Sequence, residues 1–181
     1  DDEIMFFTPT LVHLQKHGKQ VYILCLSDNN YHQNEVVRTH ELISSAKHFG
    51  INEDHISFAH FKDNDPWDKL QVQKSVQEIV ATWQIDTIIS FDKDGASGHH
   101  NHISSYQGIL NGGTGSASYW YVLVSNDNRA KRDHKNLRYY LKSSDKAWYG
   151  MDRYPSQFTW YRKITLPRSR YAYRNILQQL K

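Results

Sequence analysis

A chain of 181 residues can bury one substantial core, and no stretch has the linker composition that would divide it, so one domain over residues 1-181 is expected. The balance of 22 Lys and Arg against 19 Asp and Glu leaves +3, too weak a field to argue for nucleic acid, while 39% hydrophobic and 13% aromatic residues exclude a disordered chain. The single cysteine, Cys25, excludes an internal disulfide framework and fits a reducing compartment, and no run of about 18 apolar residues offers a membrane span.

The chain opens Asp1-Asp2-Glu3 with no initiator Met, and residues upstream are expected to be missing. These carboxylates stand ahead of an apolar helical stretch, residues 3–17, that ends at Gly18, a C-cap residue type. Residues 21–26 read as a buried strand that carries an inert Cys25. A helix over 35–49 follows, with Val37, Leu42, Ile43, Ala46 and Phe49 on one face and Gly50 at its end. Residues 56–61 and 87–91 are further strand candidates, separated by a helix over 69–83 with Leu70, Val72, Val76, Ile79 and Val80. The run from Gly112 to Ser118 lacks the Lys-Ser/Thr of a P-loop and precedes a strand, 119–124, so it reads as a loop.

Strands that each feed a helix describe an α/β fold with a largely parallel sheet. Ligands of such sheets sit outside the carboxyl ends of the strands, so the chemistry is sought there. One cluster is the opening Asp1-Asp2-Glu3, which could equally be carboxylates placed against a helix dipole. The other is Asp92-Lys93-Asp94-Gly95-Ala96-Ser97-Gly98-His99-His100-Asn101-His102, directly after a strand. Its histidines, behind two glycines that let the backbone bend, suit a metal as well as an ordinary surface loop. A catalytic zinc needs about three N or O ligands and an open position, so carboxylate plus imidazoles is the set to seek, and here it is one His short.

Taken together these residues resemble the LmbE-like, or PIG-L-like, deacetylases, whose signatures are H-P-D-D-E after the first strand and G-H-x-N-H later. Asp1-Asp2-Glu3 continues the first signature and Gly98-His99-His100-Asn101-His102 matches the second. Arg38-Thr39-His40-Glu41-Leu42 and Ser156-Gln157-Phe158-Thr159-Trp160-Tyr161-Arg162, with Ser169-Arg170-Tyr171 and Asn175, are similar to the eukaryotic branch. The resemblance implies a three-layer α/β/α, Rossmann-like fold whose first strand is missing from this chain. It also implies that Asp2 and His102 are metal ligands for Zn2+, with Fe2+ accepting the same donors. Asp1 would be the general base, a protonated His99 would stand beside the substrate carbonyl, and Arg38 and Asp63 would contact substrate. Glu3 reads as a supporting or helix-capping group and His100 as a non-ligand.

By the same resemblance the reaction is hydrolysis of the N-acetyl group of N-acetylglucosaminyl-phosphatidylinositol in GPI-anchor biosynthesis, at a membrane surface on the cytosolic face of the endoplasmic reticulum. Two other readings stay open: deacetylation of another N-acetylglucosaminyl conjugate, and an inactive glycolipid-binding relative. The chain departs from the family where Asn29, Gln33 and Glu35 stand for glycines, Asn64 for a glycine and Tyr154 for a histidine. The basic residues Arg129, Lys131, Arg132, Lys135, Arg138 and Lys142, then Arg162, Lys163, Arg168, Arg170 and Arg174, form either a solvated face or an attraction for anionic lipid or phosphate. Trp160, Tyr161, Tyr171 and Tyr173 read as core or interface, or as residues at a membrane surface.

Overall fold

The computed structural model describes residues 1–27, 35–110, 115–126 and 136–180. Helix α1 (Asp2–Lys16) places Asp2 and Glu3 in its first turn and His13 and Lys16 in its last, each sign favourable to the helix dipole, and the chain leaves it through Gly18 at φ 63°. Then come β1 (Ile23–Ser27), α2 (Glu35–His48), β2 (Ile56–Phe61), α3 (Lys69–Trp83) and β3 (Thr87–Phe91). The Asp68 carboxylate caps α3 by accepting from the backbone N–H groups of Leu70 and Gln71. The remainder is α4 (Gly95–Gly98), α5 (His100–Ile109), β4 (Tyr119–Leu123), β5 (Leu137–Tyr140), α6 (Asp145–Met151), α7 (Trp160–Thr165) and β6 (Arg174–Gln179).

Alternation along the strands builds three layers. Ile23 and Cys25 of β1 pack with Leu42, Ala46 and Phe49 of α2 and with Ile4 and Leu11 of α1, while Leu24 and Leu26 point to the Val72, Val76 and Val80 face of α3. In β4, Trp120 and Val122 join the α3 side, and Tyr121 and Leu123 join Phe6 of α1. Helices α1, α2 and α6 thus cover one face and α3 and α5 the other. The α3–α5 approach is close enough that a Cβ on Gly108 would stand 2.2 Å from Val72 Cγ1.

The strands form two sheets rather than one. β1 and β2 pair in parallel, and the second sheet runs β3-β4-β6-β5, parallel at β3–β4 and antiparallel at its other two contacts. Expected strands 87–91 and 119–124 are there, but β5 and β6 add an antiparallel edge that apolar runs did not announce. Among the described residues, β1 pairs only with β2 and β3 only with β4.

A cavity of about 1150 Å³ lies between the sheets, and every residue from Val21 to Ser27 and from Ile85 to Phe91 lines it. Consecutive strand residues point to opposite faces, so a cavity that touches all of them abuts the strand edges. For this reason β1 and β3, expected to be buried on both faces, are mostly half-buried. Among the described residues, no helix is long and apolar enough to cross a membrane.

Candidate active site

At one end of this cavity three elements converge. The first turn of α1 supplies Asp1, Asp2 and Glu3, the loop and helices after β3 supply His99, Asn101 and His102, and α2 supplies Arg38. The loop after β3 is tied to the end of β4: Ser125 N–H donates to Asp92 Oδ2 at 2.7 Å, Ser125 Oγ bonds to Asp92 Oδ1, and Ala96 N–H donates to Ser125 Oγ at 2.8 Å. Gly95 turns the chain at φ 62°, where a Cβ would come 2.9 Å from Ile103 Cγ1. Only glycine fits this turn without displacing the helix that follows.

The Gly95 carbonyl faces His102 Nδ1 at 2.9 Å, and His102 Nε2 faces Asp2 Oδ2 at 3.1 Å. A carbonyl oxygen cannot donate, so Nδ1 carries a proton toward Gly95 and Nε2 turns to the carboxylate. Two acceptors at that distance require a proton or a cation between them. Burial disfavours the His102 imidazolium, but the hydrogen bond and charge of Asp2 and the Gly95 carbonyl hold its pKa above the ordinary value. The surrounding protein likewise disfavours the Asp2 carboxylate, and His102 outweighs that, so Asp2 titrates at about 2. Phe91 stacks on the His102 ring at 3.9 Å and Phe6 meets it edge-on at 5.3 Å, which fixes its plane.

The other expected residues stand around this pair. Asp1 is gripped by two guanidinium groups, Arg38 at 3.5 Å from Oδ1 and Arg162 on Oδ2. His99 caps α5, its Nδ1 accepting from the Asn101 backbone N–H at 3.3 Å. Burial and the neighbouring His102 and His100 push its pKa down. Asp63 accepts from Asn101 Nδ2 at 2.8 Å, and the next residue, Asn64, takes φ 62°, a left-handed conformation that asparagine tolerates in place of glycine. Asp1, Asp2, Arg38, Asp63, His99 and His102 therefore all line one cavity. The loop carrying Asn29 and Gln33, the side chain of Glu35, the Gly112 to Thr114 run and the basic residues Arg129, Lys131, Arg132 and Lys135 lie outside the described residues.

Several contributors were not singled out as site residues in the sequence. Arg162 reaches Asp1 from the far end of the chain. Tyr154 Oη donates to Glu3 Oε1 at 2.5 Å, and Ser45 Oγ donates to the same oxygen at 3.2 Å, so Glu3 is turned away from the Asp2–His102 pair. Glu41 accepts from the N–H and hydroxyl of Ser156 at 2.8 and 2.6 Å, which docks the segment leading to Arg162. Asn101 Oδ1 is buried without a partner among the described residues.

Among the described residues no three His, Cys, Asp or Glu side chains are grouped to hold a metal ion. Asp2 and His102 do fit two positions of such a site. Their donors converge, and the Gly95 carbonyl leaves Nε2 as the ligating nitrogen.

The family model described as "PIG-L: GlcNAc-PI de-N-acetylase" matches residues 1–111, more than half of the chain. The chain belongs to the PIG-L family. Similar to this PIG-L family member are the probable N-acetylglucosaminyl-phosphatidylinositol de-N-acetylases of Dictyostelium discoideum, 39% identical over 60% of this chain and 44% of that one, and of Schizosaccharomyces pombe, 36% identical over 61% and 47%. The Bos taurus N-acetylglucosaminyl-phosphatidylinositol de-N-acetylase is 33% identical over 58% and 43%. The matched region thus spans less than half the length of these relatives. The PIG-L family fold is also that of the N,N'-diacetylchitobiose deacetylase of Pyrococcus horikoshii, at TM-score 0.69, 17% identity and coverage of 99% of this chain and 80% of that one. An A40926 pseudoaglycone deacetylase matches at TM-score 0.71 and 10% identity over 98% and 91%. A 4-carboxy-2-hydroxymuconate hydratase matches at 0.67 and 12% over 99% and 92%, so the fold by itself does not choose a reaction.

Proposed function

We propose that the protein is a metal-dependent hydrolase that removes the N-acetyl group of N-acetylglucosaminyl-phosphatidylinositol, yielding acetate and glucosaminyl-phosphatidylinositol for GPI-anchor biosynthesis. Its place of work in this reading is the cytosolic face of the endoplasmic reticulum membrane, and residues 1–181 act as one domain. Family membership and the names of the relatives support the substrate. The observation that carries the chemistry is the Asp2–His102 pair, at 3.1 Å, beside Asp1 and His99 in one cavity.

A divalent cation, Zn2+ or an ion of similar preference, held by Asp2 and His102 as two of its protein ligands, supplies Lewis-acid polarisation of the acetamide carbonyl and acidifies water. The chain supplies the rest. Asp1 accepts the proton of the attacking water once one guanidinium group lets go of it, and returns that proton to the nitrogen as the C–N bond breaks. His99 accepts at Nδ1 from Asn101, so its neutral ring carries hydrogen on Nε2 and donates it to the carbonyl oxygen as negative charge grows there. Asp63 offers an acceptor to sugar hydroxyl groups, and Arg38 offers a donor beside Asp1.

The test is acetate release from N-acetylglucosaminyl-phosphatidylinositol by the full-length gene product, with and without a chelator, beside His102→Ala. Chelator-sensitive release that falls at least about a hundred-fold in the variant is expected. A folded, metal-loaded protein that releases no acetate would overturn the proposal.

A further inference from the structure

Helix α7 presents apolar side chains to solvent in a way its neighbours do not explain. Trp160 is 75% exposed, and Tyr161 and Ile164 are 48% exposed. Trp160 and Ile164 are four residues apart and Tyr161 and Ile164 three, so the three form one surface patch on the helix. The exposure is imposed by the fold. Phe158 before the helix and Leu166 after it are buried, and Lys163 N–H bonds to the Thr159 carbonyl at 3.1 Å, so the intervening turn is pinned outward. A large exposed cluster of this composition marks an interaction surface.

Charge indicates the partner. From Arg153 to the C-terminus the chain carries Arg153, Arg162, Lys163, Arg168, Arg170, Arg174 and Lys181 and no Asp or Glu. Lys163 and Arg168 flank the patch, Lys163 over the Phe158 ring at 5.3 Å and Arg168 bonded to the Ile164 carbonyl at 2.7 Å. A Trp, a Tyr and an aliphatic side chain flanked by the basic groups of Lys163 and Arg168 match the boundary of an anionic bilayer, where the rings enter the headgroup region and the cations meet phosphate. A protein partner of equal apolarity would not require the uniform positive sign.

We infer that α7 is a membrane-docking surface, inserting Trp160, Tyr161 and Ile164 into the headgroup region of an anionic lipid bilayer. This deepens the proposed function and rests on it in one respect, that the substrate is a lipid-linked sugar. Arg162 on the same helix contacts Asp1, so docking α7 brings the mouth of the site to the lipid surface. The bilayer then delivers the sugar to the cavity, and the inositol phospholipid tail stays in the membrane.

The experiment measures sedimentation of the full-length protein with phosphatidylcholine vesicles, with and without phosphatidylinositol, for wild type, for Trp160→Ser with Ile164→Ser, and for Lys163→Glu with Arg168→Glu. Each variant is also assayed on a water-soluble short-chain N-acetylglucosaminyl glycoside. The wild type is expected to favour the phosphatidylinositol vesicles. Each double variant should lose about ten-fold in vesicle partitioning and keep its activity on the soluble glycoside. Equal sedimentation of wild type and both variants, or no preference for anionic vesicles, overturns the inference. So does a concentration-dependent dimer that disappears in Trp160→Ser with Ile164→Ser, which would assign the patch to a second copy. Sedimentation reads docking whether or not the protein hydrolyses either substrate, so failure of the activity and failure of the docking are separate results.

Discussion

His99 and His102 are three residues apart, yet their surroundings drive them in opposite directions: burial and two imidazoles push His99 down, while Asp2 and the Gly95 carbonyl hold His102 up. This division suits a site in which one ring ligates or carries charge and the other donates a neutral hydrogen bond. Tyr154 serves the same arrangement at one remove. Its phenol is buried and donates to Glu3, so Tyr154→Phe should leave that carboxylate short of a donor and cost about 1–3 kcal/mol in urea denaturation. Cys25 gives a pH signature. Burial raises its thiol from 9.0 to about 11, so an unfolded chain loses this proton first as pH rises. Its contribution to stability is complete below pH 9 and is lost progressively toward pH 11. Denaturation midpoints of wild type should therefore fall toward those of Cys25→Ala over that range, and thiol alkylation at pH 8 should be slow.

Between elements, the tightest approach is that of α5 on α3, where Gly108 lies against Val72. Gly108→Ala should overpack this contact, cost about 1–3 kcal/mol and lower the melting temperature, because the obstructing atom is the Cβ-branched end of a buried valine. α5 also carries His102, so the same variant should weaken metal binding more than its distance from the site suggests. On the other side, β6 is held at the centre of its sheet by a polar residue. Asn175 Oδ1 accepts from the N–H and hydroxyl of Thr10, and Nδ2 donates to the Phe6 carbonyl at 2.7 Å. These bonds couple β6 to α1 and so help to set the orientation of Asp1 and Asp2 at the start of that helix.

At the scale of the whole molecule, the cavity divides two sheets whose facing edges are unpaired among the described residues, and the site sits at its mouth. Among the described residues, the proposed site offers two ligands, Asp2 and His102, of the three or more that a catalytic zinc requires. Zinc content of the 181-residue chain after dialysis should therefore be well below one ion per chain. Stoichiometric, tightly held metal would show that a third donor is already in place.

Much of this was legible in the sequence. The apolar runs at 56–61, 87–91 and 119–124 and the helical periods at 35–49 and 69–83 sufficed to place α/β layers, because strands and helices buried by a sheet carry that burial in their own residues. The carboxylates at the start and the histidines after β3 were each ambiguous by type and spacing, and only the resemblance to the PIG-L-like signatures joined them into one candidate site. Strands β5 and β6 did not, since Leu-Arg-Tyr-Tyr and Arg-Asn-Ile-Leu-Gln-Gln become strands only through their antiparallel partners. Nor could any local pattern reveal Arg162 on Asp1, Tyr154 on Glu3 or the burial that pushes the His99 pKa down. Sequence by itself determined which groups were available and the periods of the elements that carry them. Tertiary structure alone decided which groups meet and which way their surroundings push their charge, because contact, desolvation and hydrogen bonding arise between residues as far apart in the chain as Asp2 and His102 or Asp1 and Arg162.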